Sequence, residues 1–277
     1  MEHDNNETPP CVAQWVDTDG GRLHACIWHR EVAHQRTPIV MLHDSLGSVE
    51  LWRDFPARLA LATGRAVVAY DRLGFGRSDS HGGTLGKNFI AQECHASLLP
   101  VLDRFGLERA ILFGHSVGGG MAVAAAAQCA ARVAAVVTES AQAFVEDRTL
   151  DGVRQARRNF SDPAQVARLA KYHGDQARSR WVLDAWIDTW LAPGYANWSL
   201  DEKLHCPLLA LHGERDEFGS ALHPQRIVAL GAPGELLMLD DCGHVPHRQQ
   251  MAIVLPAVQA FLQRHAATID HARSTGA

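Results

Sequence analysis

The chain has 277 residues, of which 47% are hydrophobic and 21% are charged. This composition is typical of a globular protein, argues against disorder, and allows a core that needs no disulfide or structural metal. The formal net charge of −5 provides neither a basic surface for nucleic acid nor a polybasic membrane anchor.

The terminus, the apolar runs and the cysteines indicate where the protein is located. The first ten residues are polar and acidic, so we expect no signal peptide. The longest apolar region, 121–137, is interrupted by Gln128 and Arg132, so we expect no membrane span and a cytoplasmic protein. The six cysteines are scattered without a C-x-x-C pair, which predicts reduced thiols and neither a zinc site nor a redox motif.

Short strands alternate with helices along the chain. A hairpin comes first, with strands 12–16 and 23–29 around a Gly-rich turn. Six short apolar runs predict buried strands, at 39–42, 66–70, 110–113, 133–138, 208–211 and 235–239. Helical stretches separate them, at 49–62, 88–105, 118–131, 222–230 and 249–265. The alternation predicts a mostly parallel sheet with helices on both faces.

One connection is much longer than the others. Between residues 140 and 206 no strand is predicted, and four of the seven tryptophans fall there. Such a long connection is usually a functional insertion, so we predict a helical cap, 142–204, over the carboxyl edge of the sheet. The predicted core is then 12–141 and 205–265, followed by a flexible tail, 266–277.

Ser116 lies in the sequence G-H-S-V-G, between the strand 110–113 and a helix of small residues. Glycines two positions before and after a serine allow a sharp turn that lifts its hydroxyl out of the sheet. The following helix directs its amino end toward that hydroxyl and stabilises negative charge there. This pattern predicts a nucleophilic serine.

A serine nucleophile needs a base, and the base needs a carboxylate. His244 follows the last strand, which places it at the same sheet edge as Ser116. Asp216 follows the strand 208–211 and gives the chain order Ser, Asp, His. Glu139 and Glu214 are rival acids, and a metal site formed by His212, Asp216 and His244 lacks paired ligand spacing.

The oxyanion of such a reaction needs two N–H donors. The amide of Val117, directly after the nucleophile, is the first. The second is expected from the loop after strand 39–42, where Ser45 is the leading candidate and Leu46 or Asp44 remain alternatives.

The ordered motifs resemble the α/β-hydrolase superfamily, in its compact bacterial esterase-like branch. They are the loop His43–Gly47 with Trp52 beyond it, the run D-R-L-G-F-G-R-S at 71–78, the run G-H-S-V-G-G at 114–119, and the pair Asp216 and His244. The resemblance spans roughly residues 15–262. It implies an eight-stranded sheet with one antiparallel strand, a cap after the sixth strand, a structural turn at 71–78, a covalent acyl-enzyme and no cofactor.

Asp44 departs from the family, which usually has glycine after the loop histidine. Either the carboxylate closes an Asx turn in the loop, or it adjusts the substrate preference or pH range of the site. The sequence also leaves two interpretations open for the cap tryptophans Trp186 and Trp190. They either form the core of the cap or line a pocket.

We expect a small-molecule substrate, bound by a set of six residues. The set consists of His43, Leu46, His115, Trp186, Trp190 and Val245. Hydrolysis of a carboxylic ester, lactone or thioester is the leading interpretation. C–C bond hydrolases that resemble this chain tend to have Asn before the serine and Trp after the histidine, where this chain has His115 and Val245. A non-enzymatic ligand receptor is the third alternative, and a homodimer is left open.

Overall fold

The computed structural model describes residues 9–270 and contains one eight-stranded sheet with helices on both faces. The strands are β1 Val12–Thr18, β2 Gly21–Trp28, β3 Ile39–Leu42, β4 Val67–Tyr70, β5 Ala110–His115, β6 Val133–Glu139, β7 Leu208–Gly213 and β8 Gly234–Leu239. All eight predicted strands are present, and the predicted fold class is confirmed.

The strand order is β1-β2-β4-β3-β5-β6-β7-β8. β2 pairs antiparallel with both β1 and β4, and every other pairing is parallel. The sheet therefore has a single reversed strand. The carboxyl ends of β3, β5, β6 and β7 consequently lie at one edge, where ligands bind in sheets of this kind.

The helices follow the predicted alternation but are more divided. They are α1 Phe55–Thr63, α2 Phe89–Glu93, α3 Leu99–Arg104, α4 Val117–Gln128, α5 Asp147–Asn159, α6 Pro163–His173, α7 Gln176–Leu191, α8 Leu222–Val228, α9 Pro246–Gln249, α10 Met251–Arg264 and α11 Ala266–Asp270. A π-helical turn, Cys94–Leu98, separates α2 from α3 within the single helix predicted at 88–105. No helix in the described residues is long and apolar enough to cross a membrane.

Two apolar layers enclose the sheet. On one face α1 and α10 contribute Phe55 and Phe261, and on the other face α3 and α4 contribute Leu102 and Met121. All four side chains are buried. The central strands β3 to β7 are buried on both faces, which is why they read as unbroken apolar runs in the sequence, whereas the edge strands β1 and β8 are partly exposed.

Residues 142–204 leave the sheet after β6 and form α5, α6 and α7 before the chain returns to β7. The two ends of this helical segment meet, because Phe144 and Ser199 form an antiparallel bridge and the Leu200 amide donates to the Ala143 carbonyl. The segment is thus a closed excursion from the sheet edge.

The predicted flexible tail is wrong for residues 266–270, and residues 271–277 lie outside the described part. Residues 266–270 form α11, in which Ile269 is buried. Asp270 makes a paired contact at 2.8 Å with each terminal nitrogen of Arg65, whose side chain is fully buried. A buried guanidinium requires a partner, so this contact fixes the segment. The prediction rested on the general tendency of terminal residues to fray, which does not take account of a distant arginine.

Replacing Asp270 with Asn should therefore lower the free energy of unfolding by about 2–3 kcal/mol at pH 7, because Arg65 keeps a buried charge. Burial raises the pKa of Asp270, but the hydrogen bonds and charge of Arg65 outweigh it and lower the pKa to about 2. The stabilisation is full above the unfolded pKa near 4 and is lost as the pH falls through 2. Urea unfolding from pH 7 to pH 2 measures this stabilisation.

Asp103→Asn, which breaks an exposed pair with Arg132, is the control and should change the free energy of unfolding by less than about 0.5 kcal/mol. Equal effects for the two variants would contradict the assignment.

Candidate active site

Ser116 lies on the turn that joins β5 to α4. Its backbone has φ 54° and ψ −123°, a conformation that side chains rarely adopt. The flanking glycines are required by contact, because a Cβ on Gly114 would lie 2.2 Å from the Gly118 carbonyl oxygen and one on Gly118 would lie 2.2 Å from that of Leu42. The two glycines therefore determine the turn, and the turn determines the position of the Ser116 side chain.

Ser116, His244 and Asp216 form a continuous hydrogen-bonded chain. The Oγ of Ser116 lies 3.0 Å from Nε2 of His244, and Nδ1 of His244 lies 2.9 Å from both carboxylate oxygens of Asp216. The carboxylate accepts from Nδ1–H, so Nε2 is left as the acceptor for the serine hydroxyl. The ring of Phe218 packs against His244 with 4.8 Å between centroids.

Asp216 is held ionised. Burial would raise its pKa, but the hydrogen bond and charge of His244, with the Phe218 amide donating at 2.8 Å, lower the pKa below its ordinary value. The rival acid Glu139 instead accepts a hydrogen bond from His247, and Glu214 is exposed. Of the three acids considered from the sequence, only Asp216 contacts His244 in this way.

The loop after β3 turns back on itself through Asp44. One carboxylate oxygen of Asp44 accepts a hydrogen bond of 2.7 Å from the Leu46 amide, which closes an Asx turn. The Leu46 amide is thereby occupied. Val117 is the first residue of α4, so its amide has no partner within that helix. Ser45 lines the same cavity as Ser116.

The other oxygen of Asp44 lies 3.2 Å from Nδ1 of the buried His115, whose Nε2 donates to the His244 carbonyl at 2.8 Å. Since both acceptors are oxygens, both ring nitrogens donate, and His115 is an imidazolium. Burial lowers the pKa of His115, but the hydrogen bond and charge of Asp44 and the charge of Glu139 outweigh it and raise the pKa to about 9. A cation therefore links the Asp44 loop to the His244 loop.

His43 does not reach the cavity, which corrects its predicted role in substrate binding. It lies behind the loop, where its Nε2 accepts from the Arg72 amide at 3.1 Å and its Nδ1 donates to the Asp44 carbonyl at 2.8 Å. Burial and the charge of Arg72 lower its pKa to about 3, so it stays neutral. Its contacts are those of a loop support.

A cavity of about 360 Å³ opens above Ser116. Its lining includes the other predicted binding residues, which are Leu46, His115, Trp186, Trp190 and Val245. Both interpretations of the tryptophans hold in part. Trp186 packs edge-on against Phe218 beside the catalytic histidine candidate, while Trp190 is buried against Tyr195 and Trp198 and still faces the cavity.

A family model described as the α/β-hydrolase fold matches residues 37–162. The matched span is just under half of the chain, and together with the eight-stranded sheet it supports membership of the α/β-hydrolase superfamily. This confirms the resemblance read from its motifs.

The relatives of this α/β-hydrolase are distant. It is 27% identical to the dihydrolipoyllysine-residue acetyltransferase component of the acetoin cleaving system of Pseudomonas putida, over 89% of this chain and 68% of that protein. Several other curated relatives are matched over only 31% to 37% of their own length.

The fold is similar to that of a 2-hydroxy-6-oxo-6-phenylhexa-2,4-dienoate hydrolase from Rhodococcus sp. strain RHA1, with a TM-score of 0.71 and 18% identity over 92% of this chain and 100% of that one. It is also similar to naproxen esterase from Bacillus subtilis, with a TM-score of 0.68 and 18% identity over 92% of each chain. At this identity the likeness establishes the fold.

Sequence reasoning missed several residues of the hydrolase cavity. Gln142 lies three residues after the end of β6. Its Oε1 is 3.4 Å from the Ser116 hydroxyl. Phe218 and Arg248 also line the cavity. A signal was available, since Phe218 is two residues after Asp216 and Arg248 is four after His244. The sequence around Gln142 contained no such signal, apart from its position shortly after the end of a predicted strand.

Two groups in the described residues have side chains close enough to hold a metal ion. One is His115, Glu139 and His247, and the other is Cys94, His95 and Cys129. In the first, both nitrogens of His115 donate to oxygens and Glu139 is bonded to His247. The hydrogen bonds of His115 to Asp44 and the His244 carbonyl, and of His247 to Glu139, thus already engage the first group. The alternative set of His212, Asp216 and His244 is not among these groups.

Replacing Asp44 with Asn should keep the turn but remove the charge that stabilises the His115 imidazolium. We expect a loss of about 2 kcal/mol in the free energy of unfolding at pH 6. A raised histidine pKa stabilises fully below the unfolded value near 6.5, so the difference from wild type should vanish as the pH rises through about 9. Denaturant unfolding between pH 6 and pH 10 measures this difference.

Asp54→Asn, at an exposed pair with Arg58, is the matched control and should show no such pH dependence. A difference that stays constant across this range would argue against a charged His115.

Proposed function

We propose that this α/β-hydrolase is a serine hydrolase that cleaves a small carboxylic ester, lactone or thioester through an acyl-enzyme on Ser116. The observation that carries the proposal is the hydrogen-bonded chain from Ser116 through His244 to Asp216, at the floor of a cavity. A base within 3.0 Å of a buried serine hydroxyl and oriented by a carboxylate is the arrangement that acyl transfer requires.

His244 acts as the general base. Its Nε2 takes the Ser116 proton as Oγ attacks the carbonyl carbon, and Asp216 stabilises the imidazolium that forms. The imidazolium then returns this proton to the departing oxygen or sulfur, which leaves an ester on Ser116. Water, deprotonated by the same nitrogen, attacks that ester and releases the acid and the free serine.

The developing oxyanion is stabilised by two backbone amides. Val117 provides one because its N–H is free at the amino end of α4, and Ser45 provides the other because the Leu46 amide is bound to Asp44. The imidazolium of His115 neutralises the Asp44 carboxylate beside this site. That pairing limits the electrostatic penalty of an acidic residue near an oxyanion.

The helical segment 142–204 acts as the cap. Its residues Trp186, Trp190 and Phe160 line the cavity and exclude water from the reacting bond. Apolar walls with few polar groups favour an acyl chain or aromatic ring rather than a sugar or nucleotide. A cavity of about 360 Å³ accommodates a small substrate.

Hydrolysis of a C–C bond in a vinylogous diketo acid is the second candidate. It would use the same serine and histidine, and one similar solved structure carries that activity in its name. His115 and Val245 replace the Asn and Trp that such enzymes tend to have, which favours the ester.

Ser116→Ala should abolish hydrolysis of short activated esters, with a loss in kcat of at least about a thousandfold, because the nucleophile is removed. Release of p-nitrophenol from acetate, butyrate and hexanoate esters, beside a thioester and a lactone, measures it. Ser161→Ala, an exposed serine of the helical segment, is the control and should retain full activity.

Equal activity in wild type and Ser116→Ala would remove the proposal. Turnover of a vinylogous diketo acid with poor ester activity would favour the second candidate. Tight binding of a ligand without turnover of any substrate would instead indicate a receptor on this fold.

A further inference from the structure

The cavity has two ends of different character. At its floor lies Ser116, which is 6% exposed. Apolar side chains form much of the wall, among them Val153, Leu169 and Phe218. At the mouth are two exposed arginines, Arg168 and Arg248. A substrate with its reacting carbonyl at the floor therefore extends along an apolar wall toward two cations.

The arginines lie on elements without acidic residues. Gln165, Arg168, Leu169 and Tyr172 all line the cavity, and their spacing of three, four and seven places them on one face of α6. Neither α6 nor α9 contains an aspartate or glutamate. The one acidic residue of the lining, Asp44, is already bonded to His115 and the Leu46 amide.

The surroundings of these two arginines lack a carboxylate partner. Some exposed arginines pair with a carboxylate, as in Arg154–Asp151, Arg157–Asp188, Arg226–Asp201 and Arg264–Glu235, while others in the described residues, such as Arg30, Arg104 and Arg180, form no such pair. Within residues 9–270, neither Arg168 nor Arg248 forms an ion pair with a carboxylate. Neither arginine therefore has a carboxylate within ion-pair distance, and the charges of Asp44 and Glu139 act on Arg248 only from farther away.

Arg248 is also held in place. Its guanidinium donates to the Leu51 carbonyl, and partial burial together with the charge of Arg53 lowers its pKa from the ordinary value. A cation whose charge is disfavoured by its surroundings gains more from an incoming anion than a freely solvated one does. Tyr172 lies close enough to affect the same pKa and places a hydroxyl at this end of the cavity.

We propose that the substrate of this enzyme carries a free carboxylate, separated from the scissile carbonyl by an apolar spacer, which Arg168 and Arg248 bind at the mouth of the cavity. The planar guanidinium matches a carboxylate with two parallel hydrogen bonds. The amide of Gln165 and the hydroxyl of Tyr172 are neutral donors beside it. This inference rests on the proposed serine hydrolase function and specifies its substrate class.

Matched substrates test the proposal. On the acyl side, mono-p-nitrophenyl esters of the diacids from glutaric to suberic acid are compared with the same esters bearing a primary amide in place of the free carboxylate. On the alcohol side, carboxyphenyl hexanoate is compared with carbamoylphenyl hexanoate. In at least one pair the carboxylate should raise kcat/KM about tenfold or more at low ionic strength, and added salt should reduce the difference.

Arg168→Gln and Arg248→Gln should each lower kcat/KM for the preferred acid by about tenfold, mainly through KM. The ratio of kcat/KM for the acid to kcat/KM for its neutral amide partner should fall with it, which separates loss of the charge contact from a general loss of activity. Lys171→Gln, which removes the same charge from an exposed position of α6 outside the cavity lining, is the matched control and should leave the preference intact.

The outcomes are distinguishable. If wild type hydrolyses the neutral esters through Ser116 but no pair shows a preference for the carboxylate, this inference is overturned and the proposed function stands. If the preference persists in both arginine variants, or falls equally in Lys171→Gln, the site assignment is wrong. If no ester is hydrolysed by wild type above the Ser116→Ala rate, the proposed function itself fails.

Discussion

The strand-to-helix turn at Ser116 is the constraint on which the arrangement of the site depends. With φ at 54° the serine is held in a conformation that the surrounding backbone must enforce. It is enforced by contact, because Gly114 and Gly118 bring α4 so close to β3 and β5 that no side chain fits between them. The same approach directs the free amides at the start of α4 toward the hydroxyl. The proposed nucleophile and the proposed oxyanion donor therefore belong to one structural unit, the turn from β5 into α4.

The Asp44–His115 pair joins two further loops to that unit. His115 precedes the nucleophile, Asp44 belongs to the loop after β3, and the second nitrogen of His115 reaches the carbonyl of His244. A single buried cation thus sets the distance between the proposed oxyanion donor and the proposed base. An acidic residue near an oxyanion is unfavourable in isolation, and here the imidazolium beside it compensates. The departure from the usual glycine is consequently balanced within this chain.

The helical segment 142–204 and α9 both contribute to the lining of the cavity above Ser116. The segment contributes apolar and aromatic side chains together with Arg168 of α6, and α9 contributes Arg248. A low-polarity wall strengthens the charge interactions at the floor and leaves the charge at the mouth as the main electrostatic feature available to a ligand. Under the two proposals, the groups that react and the groups that select the substrate are different members of one cavity lining.

The sequence by itself determined the alternating strands, the turn at Ser116, and the chain order of Ser116, Asp216 and His244, because local periodicity and glycine spacing encode them. It could not decide which side chains face the cavity. His43 was expected there and lies behind the loop, while Gln142, Arg168 and Arg248 came together from separate elements. The pairing of Asp44 with His115 and of Asp270 with Arg65 also spans dozens to hundreds of residues. Such contacts depend on how helices pack on the sheet, and no local pattern carries that information.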